Sequence, residues 1–174
     1  MLYSLDDITI IPAVLSNIEH RAECVPYDEH GKLPLFSAPM SCVINMDNFR
    51  NFEEVGINTI IPRNVDIGER FNQSIETFVE MSLDEFDNYI VNIPVFTVPH
   101  YICVDIANGH MRRLYDLAKE AKRIHGDNLV LMVGNIANPE TFLEYAEIGV
   151  DYVRVGIGSG NVCTTSANTG IFTI

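Results

Sequence analysis

Positive charge is scarce in this chain, and the shortage narrows its partners at once. Eleven lysines and arginines stand against 24 acidic residues in 174, a formal net charge of −13. Such a field repels a polyanion, so no nucleic-acid partner is expected, and any phosphate has to be held locally by backbone N–H groups. Long apolar runs are missing as well: no window approaches the ~18 uninterrupted apolar residues of a membrane span. The opening residues Met1-Leu2-Tyr3-Ser4-Leu5-Asp6-Asp7 lack a basic stretch followed by an apolar one. No membrane partner is therefore expected, and the cytoplasm is the expected compartment. Cysteines are few, and positions 24, 42, 103 and 163 show neither CxxC nor zinc spacing. In a reducing compartment they read as separate thiols, three of them as packing residues.

What is present is enough for one sizeable core, with 47% hydrophobic residues. Beyond an irregular N-terminal arm, short apolar runs at 35–38, 58–61, 77–81, 101–105, 129–133 and 152–155 read as strands. Helical spacing of apolar residues falls between them, at 46–55, 67–75, 83–90, 111–125 and 139–148. Ser82 with Glu85 forms a capping-box pattern, Asn138-Pro139 places a cap before a first-turn proline, and Gly126 and Gly149 stand where helices stop. Six β-α repeats with strands apolar throughout predict a parallel sheet covered by helices, an α/β fold. No G-x-G-x-x-G follows the first strand, as a dinucleotide fold would require. Polar residues gather instead behind several strands: 37–40, Arg63-Asn64, Asp105 with Asn108, Asn135, and the loop after Val155. In a (β/α)8 barrel those ends form one rim, where the active site sits. A full barrel takes ~250 residues, so the chain is expected to supply six of eight units of an incomplete TIM barrel.

The loop after Val155 carries the chemistry. Gly156, Gly158 and Gly160 lie just before Cys163, Thr164 and Thr165. Glycines at alternate positions let a loop turn amides inward around a phosphate or carbonyls inward around a monovalent cation, and composition leaves both readings open. Cys163 is either a small packing residue or a nucleophile on a polar segment, with threonine hydroxyls beside it to relay a proton or position a small molecule. Asp105 reads as a helix cap or a ligand group, Asn108-Gly109 as a turn, and Asn135 as a turn cap or a group reaching a ligand. Arg154 lies inside a strand and must point into the barrel or among the helices; the interior, with an anionic or polar partner, is the expected side. His110 and His125, like the acidic runs Glu53-Glu54 and 84–87, read as parts of solvated helix faces.

Four segments together resemble the IMP dehydrogenase/GMP reductase family of (β/α)8 barrels. They are Asp6-Asp7-Ile8-Thr9-Ile10-Ile11-Pro12, Ser37-Ala38-Pro39-Met40, Asp105-Ile106-Ala107-Asn108-Gly109, and the run from Gly156 through Ser159, Asn161 and Cys163 to Thr165. The last is the most specific. The resemblance implies that Cys163 attacks C2 of a purine nucleotide and that Thr165 is the catalytic threonine beside the leaving group. It implies a potassium-like cation on the carbonyls of Gly158, Gly160 and Cys163, with Asn161 near the nucleotide phosphate. Met40 would lie under the purine, Arg154 and Asn135 near base and ribose, Asp105 near the ribose or the nicotinamide side, and Asn108 on the cofactor side.

Within the family, the Asp-Ile-Ala-Asn-Gly segment and the short passage from 67–75 to 77–81 resemble GMP reductase, which implies NADPH, rather than IMP dehydrogenase, which implies NAD and usually a tandem regulatory insert. The chain is thus expected to be the N-terminal portion of one barrel domain, without that insert. A reductase acting on GMP is the first reading; an insert-free dehydrogenase and a non-catalytic nucleotide-binding or chain-complementing fragment are the others. The complete family member implies a homo-oligomer, a tetramer. Ser41 and Ser166 stand where the family pattern has an aspartate and an arginine. The last two β-α units are not among these 174 residues, and the chain alone is expected to lack turnover.

Overall fold

Side-chain hydrogen bonds set where three of the helices begin. The computed structural model describes residues 9, 11, 14–72, 76–158, 163 and 165. Asp66 caps α2 (Ile67–Phe71) by accepting from the amides of Gly68 and Glu69. Ser82 and Glu85 form the reciprocal capping box of α3 (Leu83–Asn92), and Asn138 accepts from the Thr141 amide ahead of α5 (Pro139–Glu147). The longest helix, α4 (Arg112–His125), collects Lys122, Arg123 and His125 in its last turn and ends at Gly126. There the charges of Lys122 and Arg123 face the negative end of the helix dipole. The first helix, α1 (Phe49–Glu54), starts later than its apolar spacing predicts. Asn45 and Asn48 accept each other's backbone N–H groups, which holds 45–48 as a turn instead.

Between the helices run β1 (Ile60–Ile61), β2 (Phe78–Met81), β3 (His100–Asp105), β4 (Leu129–Ile136) and β5 (Tyr152–Val155). All four pairings are parallel, and the strands lie in chain order with no reversal. The strand expected at 35–38 is reduced to a single parallel bridge, Phe36 to Asn58. Pro34 and Pro39 bracket it and remove ladder donors at both ends.

The sheet has two unlike faces. Outward, Ile102, Val104, Leu129, Leu131 and Val133 pack with Phe86, Ile90, Leu114, Ala118 and Tyr145 from the helices, all under a tenth exposed. Inward, Ile60, Phe78, Cys103 and Met132 form a second cluster with Tyr101 and Val130. The strands are not apolar throughout, as their sequences suggest. With side chains alternating along a strand, Glu80 follows Phe78 on the inner face, Asp105 follows Cys103, and Arg154 follows Tyr152. Each is the last inward residue of its strand, so an apolar floor gives way to a charged rim.

The inner face is also concave. Phe36 lies beside β1 at one edge and Tyr152 on β5 at the other, yet their ring centroids are 5.3 Å apart. In a flat sheet five inter-strand spacings would separate them by roughly 24 Å. Phe78 touches Phe36, Tyr101 and Tyr152 at 5.8, 5.3 and 5.7 Å, edge to face, and fills the hollow the curl creates. Among the described residues, no helix is long and apolar enough to cross a membrane.

Candidate active site

The charged rim is a row of alternating signs. Glu80, only 3% exposed, accepts from the Arg63 amide at 2.8 Å and pairs with Arg63 Nε at 3.3 Å. Asp105 pairs with Arg154 at 2.5 Å, both about three-quarters buried. The interior side expected for Arg154 is where it lies, with an anionic partner. Burial pushes the Glu80 carboxyl above its ordinary range, against the pull of Arg63. Below the row, burial pushes the Cys103 thiol up to about 12, so this sulfur stays protonated and inert.

Next to the row, β4 carries a bulge. Gly134 pairs with Arg154 and Ile136 with Val155, so Asn135 is an extra residue opposite β5. β4 therefore runs three residues past its expected end, and the bulge aims the Asn135 amide at the next loop. Its Nδ2 donates to the carbonyl of Gly156 at 2.7 Å. Gly156 and Gly158 have φ of 108° and 72°, a region that side chains with a Cβ rarely adopt, so glycine at these positions is a backbone requirement. Beyond them Cys163 is exposed, and the hydroxyl and amide of Thr165 both donate to its sulfur. Those bonds favour the thiolate and hold its pKa below the ordinary thiol value.

Seven of the residues singled out in the sequence meet around one open cleft of about 520 Å³: Met40, Asp105, Asn135, Arg154, Gly158, Cys163 and Thr165. Its size is that of a small-molecule site. Asn108 is not on its wall; its Oδ1 accepts from the His110 amide and builds the turn that its Asn-Gly sequence suggests. Gly160 and Asn161 lie outside the described residues, as do Thr164 and Ser166. Another hollow, about 510 Å³, lies at the opposite ends of the strands between Glu76, Tyr101 and Tyr152. Lys32 reaches it and pairs with Glu76 at 2.8 Å, and among the described residues no cysteine, serine or threonine lines it.

Several expectations need correction. His125 is 3% exposed rather than solvated, stacked on Phe96 at 3.8 Å and accepting the Phe96 amide at Nδ1. His110 is half-buried and bonded through both ring nitrogens. Glu53 accepts from the hydroxyls of Thr59 and Thr77 at 2.9 and 2.6 Å, tying α1 to the sheet; the 84–87 run, by contrast, does face solvent at Asp84, which together with Asp87 pairs with the half-exposed Arg113. Of the three cysteines read as packing residues, only Cys103 is buried; Cys24 and Cys42 sit in exposed turns. Glu80 and its hold on Arg63 were missed, although a carboxylate in phase with the inward Phe78 was the signal available.

A curled parallel sheet whose C-terminal rim lines a cleft, with an accessible thiol on its wall, defines a class: α/β proteins with a small-molecule cleft at the ends of their strands. The chain belongs to the IMP dehydrogenase / GMP reductase domain family, whose sequence profile matches residues 3–173. It is similar to the GMP reductase of Staphylococcus epidermidis, 29% identical over 99% of this chain, and to that of Mesoplasma florum, 27% identical over 98%. The GMP reductase of Staphylococcus aureus is 30% identical over 99%. The chain spans 56% of the length of the staphylococcal proteins and 57% of the Mesoplasma one.

Proposed function

We propose that this chain forms the thiol-bearing part of a purine nucleotide oxidoreductase of the GMP reductase kind, on six units of a (β/α)8 barrel. The observation that carries the reading is the convergence of Cys163 and Thr165 with Met40, Asp105, Asn135 and Arg154 around one cleft. The strand order and the curl of the sheet support the barrel, and relatives named GMP reductase support the substrate. The passage from α2, ending at Phe71, to β2, starting at Phe78, is too short for an inserted domain and favours the reductase over the dehydrogenase.

In this reading the Cys163 thiolate adds to C2 of GMP, a C–S bond forms, and the 2-amino group leaves as ammonia after gaining a proton. Thr165 holds the thiolate by its donated hydrogen bonds and stands beside the departing nitrogen. NADPH, when bound, supplies the hydride that reduces C2. The C–S bond then breaks, IMP leaves, and the thiolate is restored. Met40 packs against the purine, Arg154 and Asn135 face base and ribose, and Asp105 takes the nicotinamide side. The residues present fit that end of the cofactor: one Asp105 oxygen is engaged by Arg154, and a carboxylate has further lone pairs for an amide NH2. A monovalent cation would take the carbonyls of Gly158 and Cys163, on a loop whose Gly158 adopts a φ of 72° that other residues rarely reach. For Asn161 and Gly160, which lie outside the described residues, phosphate and cation roles rest on the family resemblance alone; the cytoplasm is the proposed compartment and a tetramer the proposed assembly.

Adduct formation tests the reading on this chain alone. GMP incubated with the protein is expected to add to Cys163, seen by mass spectrometry of the intact chain and its peptides, and Cys163→Ser abolishes the adduct with the circular dichroism unchanged. A normal adduct in Cys163→Ser would remove this thiol from the mechanism. Turnover belongs to the chain joined to the remaining barrel units: GMP with NADPH should consume nicotinamide absorbance, and turnover with IMP and NAD alone would overturn the reductase assignment.

A further inference from the structure

We propose that His110, which does not line the cleft, is a positioning residue for it, locking together the loops that follow β3 and β4 so that Asn135 can hold the glycine loop leading to Cys163. This deepens the nucleotide-site reading and rests on it for the identity of the ligand. His110 Nε2 accepts the Ala137 amide at 2.8 Å, and Nδ1 lies 2.8 Å from the Thr141 hydroxyl. A ring nitrogen that accepts carries no proton, so in this arrangement Nδ1 bears it and donates to Thr141. One imidazole thereby grips the β4–α5 connection at two points, just after the strand and in the first turn of the helix.

The grip lies where the two loops come closest. The Gly109 amide donates to the Asn135 carbonyl at 2.7 Å, and the buried hydroxyl of Tyr145 donates to the Gly109 carbonyl at 2.7 Å. A Cβ on Gly109 would fall 2.7 Å from the Asn135 oxygen and 2.9 Å from Ile136 Cγ2, so the contact admits no side chain. From Asn135 the path continues through its Nδ2 to the Gly156 carbonyl. Three strand-end loops are thus laced in series, and His110 adds two side-chain bonds at the first crossing beside that of Tyr145. Loops place functional groups accurately only when such outer contacts fix them.

The test compares the wild-type chain with His110→Phe, which keeps a ring but neither bond, and His110→Gln, which keeps an acceptor and a donor. Three quantities are measured: the amide chemical shifts of Asn135 and Gly156, the rate of Cys163 alkylation by iodoacetamide resolved by peptide mass spectrometry, and the Kd for GMP. His110→Phe is expected to move both amides, to change the alkylation rate several-fold, and to weaken GMP by roughly tenfold, the scale of one lost part-buried hydrogen-bond partner. His110→Gln should return all three to within about twofold of wild type. Wild-type values in His110→Phe would overturn the proposal. So would a His110→Gln that behaves like the phenylalanine variant, since packing rather than hydrogen bonding would then be the role. If His110→Phe does not fold, Thr141→Val removes the acceptor alone, and unchanged amides and alkylation there are equally fatal. If the wild-type chain fails to bind GMP, the nucleotide reading falls, while shifts and alkylation rates still decide whether His110 governs the loop.

Discussion

At the scale of single residues, the contrast between two thiols shows what environment does to one functional group. Cys103 and Cys163 have the same side chain, but one lies on the dry inner face and the other stands in water with two donors from Thr165. The rate of Cys163 alkylation should therefore rise with pH around a midpoint below the ordinary thiol value. Thr165→Val should move that midpoint upward, since the hydroxyl bond is lost and only the amide remains. A pH–rate profile for the two proteins checks this; coincident midpoints would mean that the hydroxyl does not act on the sulfur. Cys163 was legible in the sequence because glycines and threonines marked its surroundings as a polar loop. Glu80 was not, because it sits among Val79, Met81 and Phe78, and its partner Arg63 comes from another strand end. His110 was misread for a similar reason: what occupies its two nitrogens lies 27 and 31 residues further on.

At the scale of elements, helix starts were readable and the strand edges were not. A capping box is local in sequence, so Ser82 and Glu85 announced α3, and Asn138 announced α5. The bulge at Asn135 exists only relative to β5, and the weakening of 35–38 to one bridge depends on its place at the sheet edge. The same pairing makes Gly134 critical. A Cβ there would lie 2.6 Å from Arg154 Cβ and 2.8 Å from its carbonyl oxygen, so Gly134→Ala must part β4 from β5. The expected outcome is a destabilisation of about 2 kcal/mol or more, as for other overpacked interiors. It should come with faster amide exchange in 152–155 and a weakened Arg154–Asp105 pair. Denaturant melts with hydrogen exchange measure it, and full protection at β5 in the variant would contradict the packing described.

At the scale of the whole molecule, acid should loosen the fold from the side away from the cleft. Phe96 is sandwiched by His100 and His125 at 3.9 and 3.8 Å, and burial lowers the pKa of both imidazoles, with His100 lowering that of His125 further. The groups around the stack are Tyr89, whose hydroxyl bonds His100 Nδ1, and Asn128, which donates to the Phe96 carbonyl. Because the folded state prefers both rings neutral, their contribution is intact above the unfolded value of 6.5 and is lost as pH falls through the lowered folded values. Thermal melts between pH 7 and 5 should show that loss, and His125→Gln should flatten it; an equal slope in the variant would place the sensitivity elsewhere.

The row formed by Arg63, Glu80, Asp105 and Arg154 has a bearing on how fast a ligand arrives. Its two guanidiniums and two carboxylates cancel, so the row adds no net positive charge to offset a chain of net charge −13. An anionic ligand such as the proposed nucleotide, approaching at low ionic strength, meets the repulsion of the whole surface, which reaches about 30 Å at 0.01 M salt and about 8 Å at 0.15 M. Added salt shortens that barrier while leaving the short-range contacts of the cleft largely in place. Encounter with such an anion should therefore quicken as ionic strength rises, the reverse of a protein that draws its ligand in by charge.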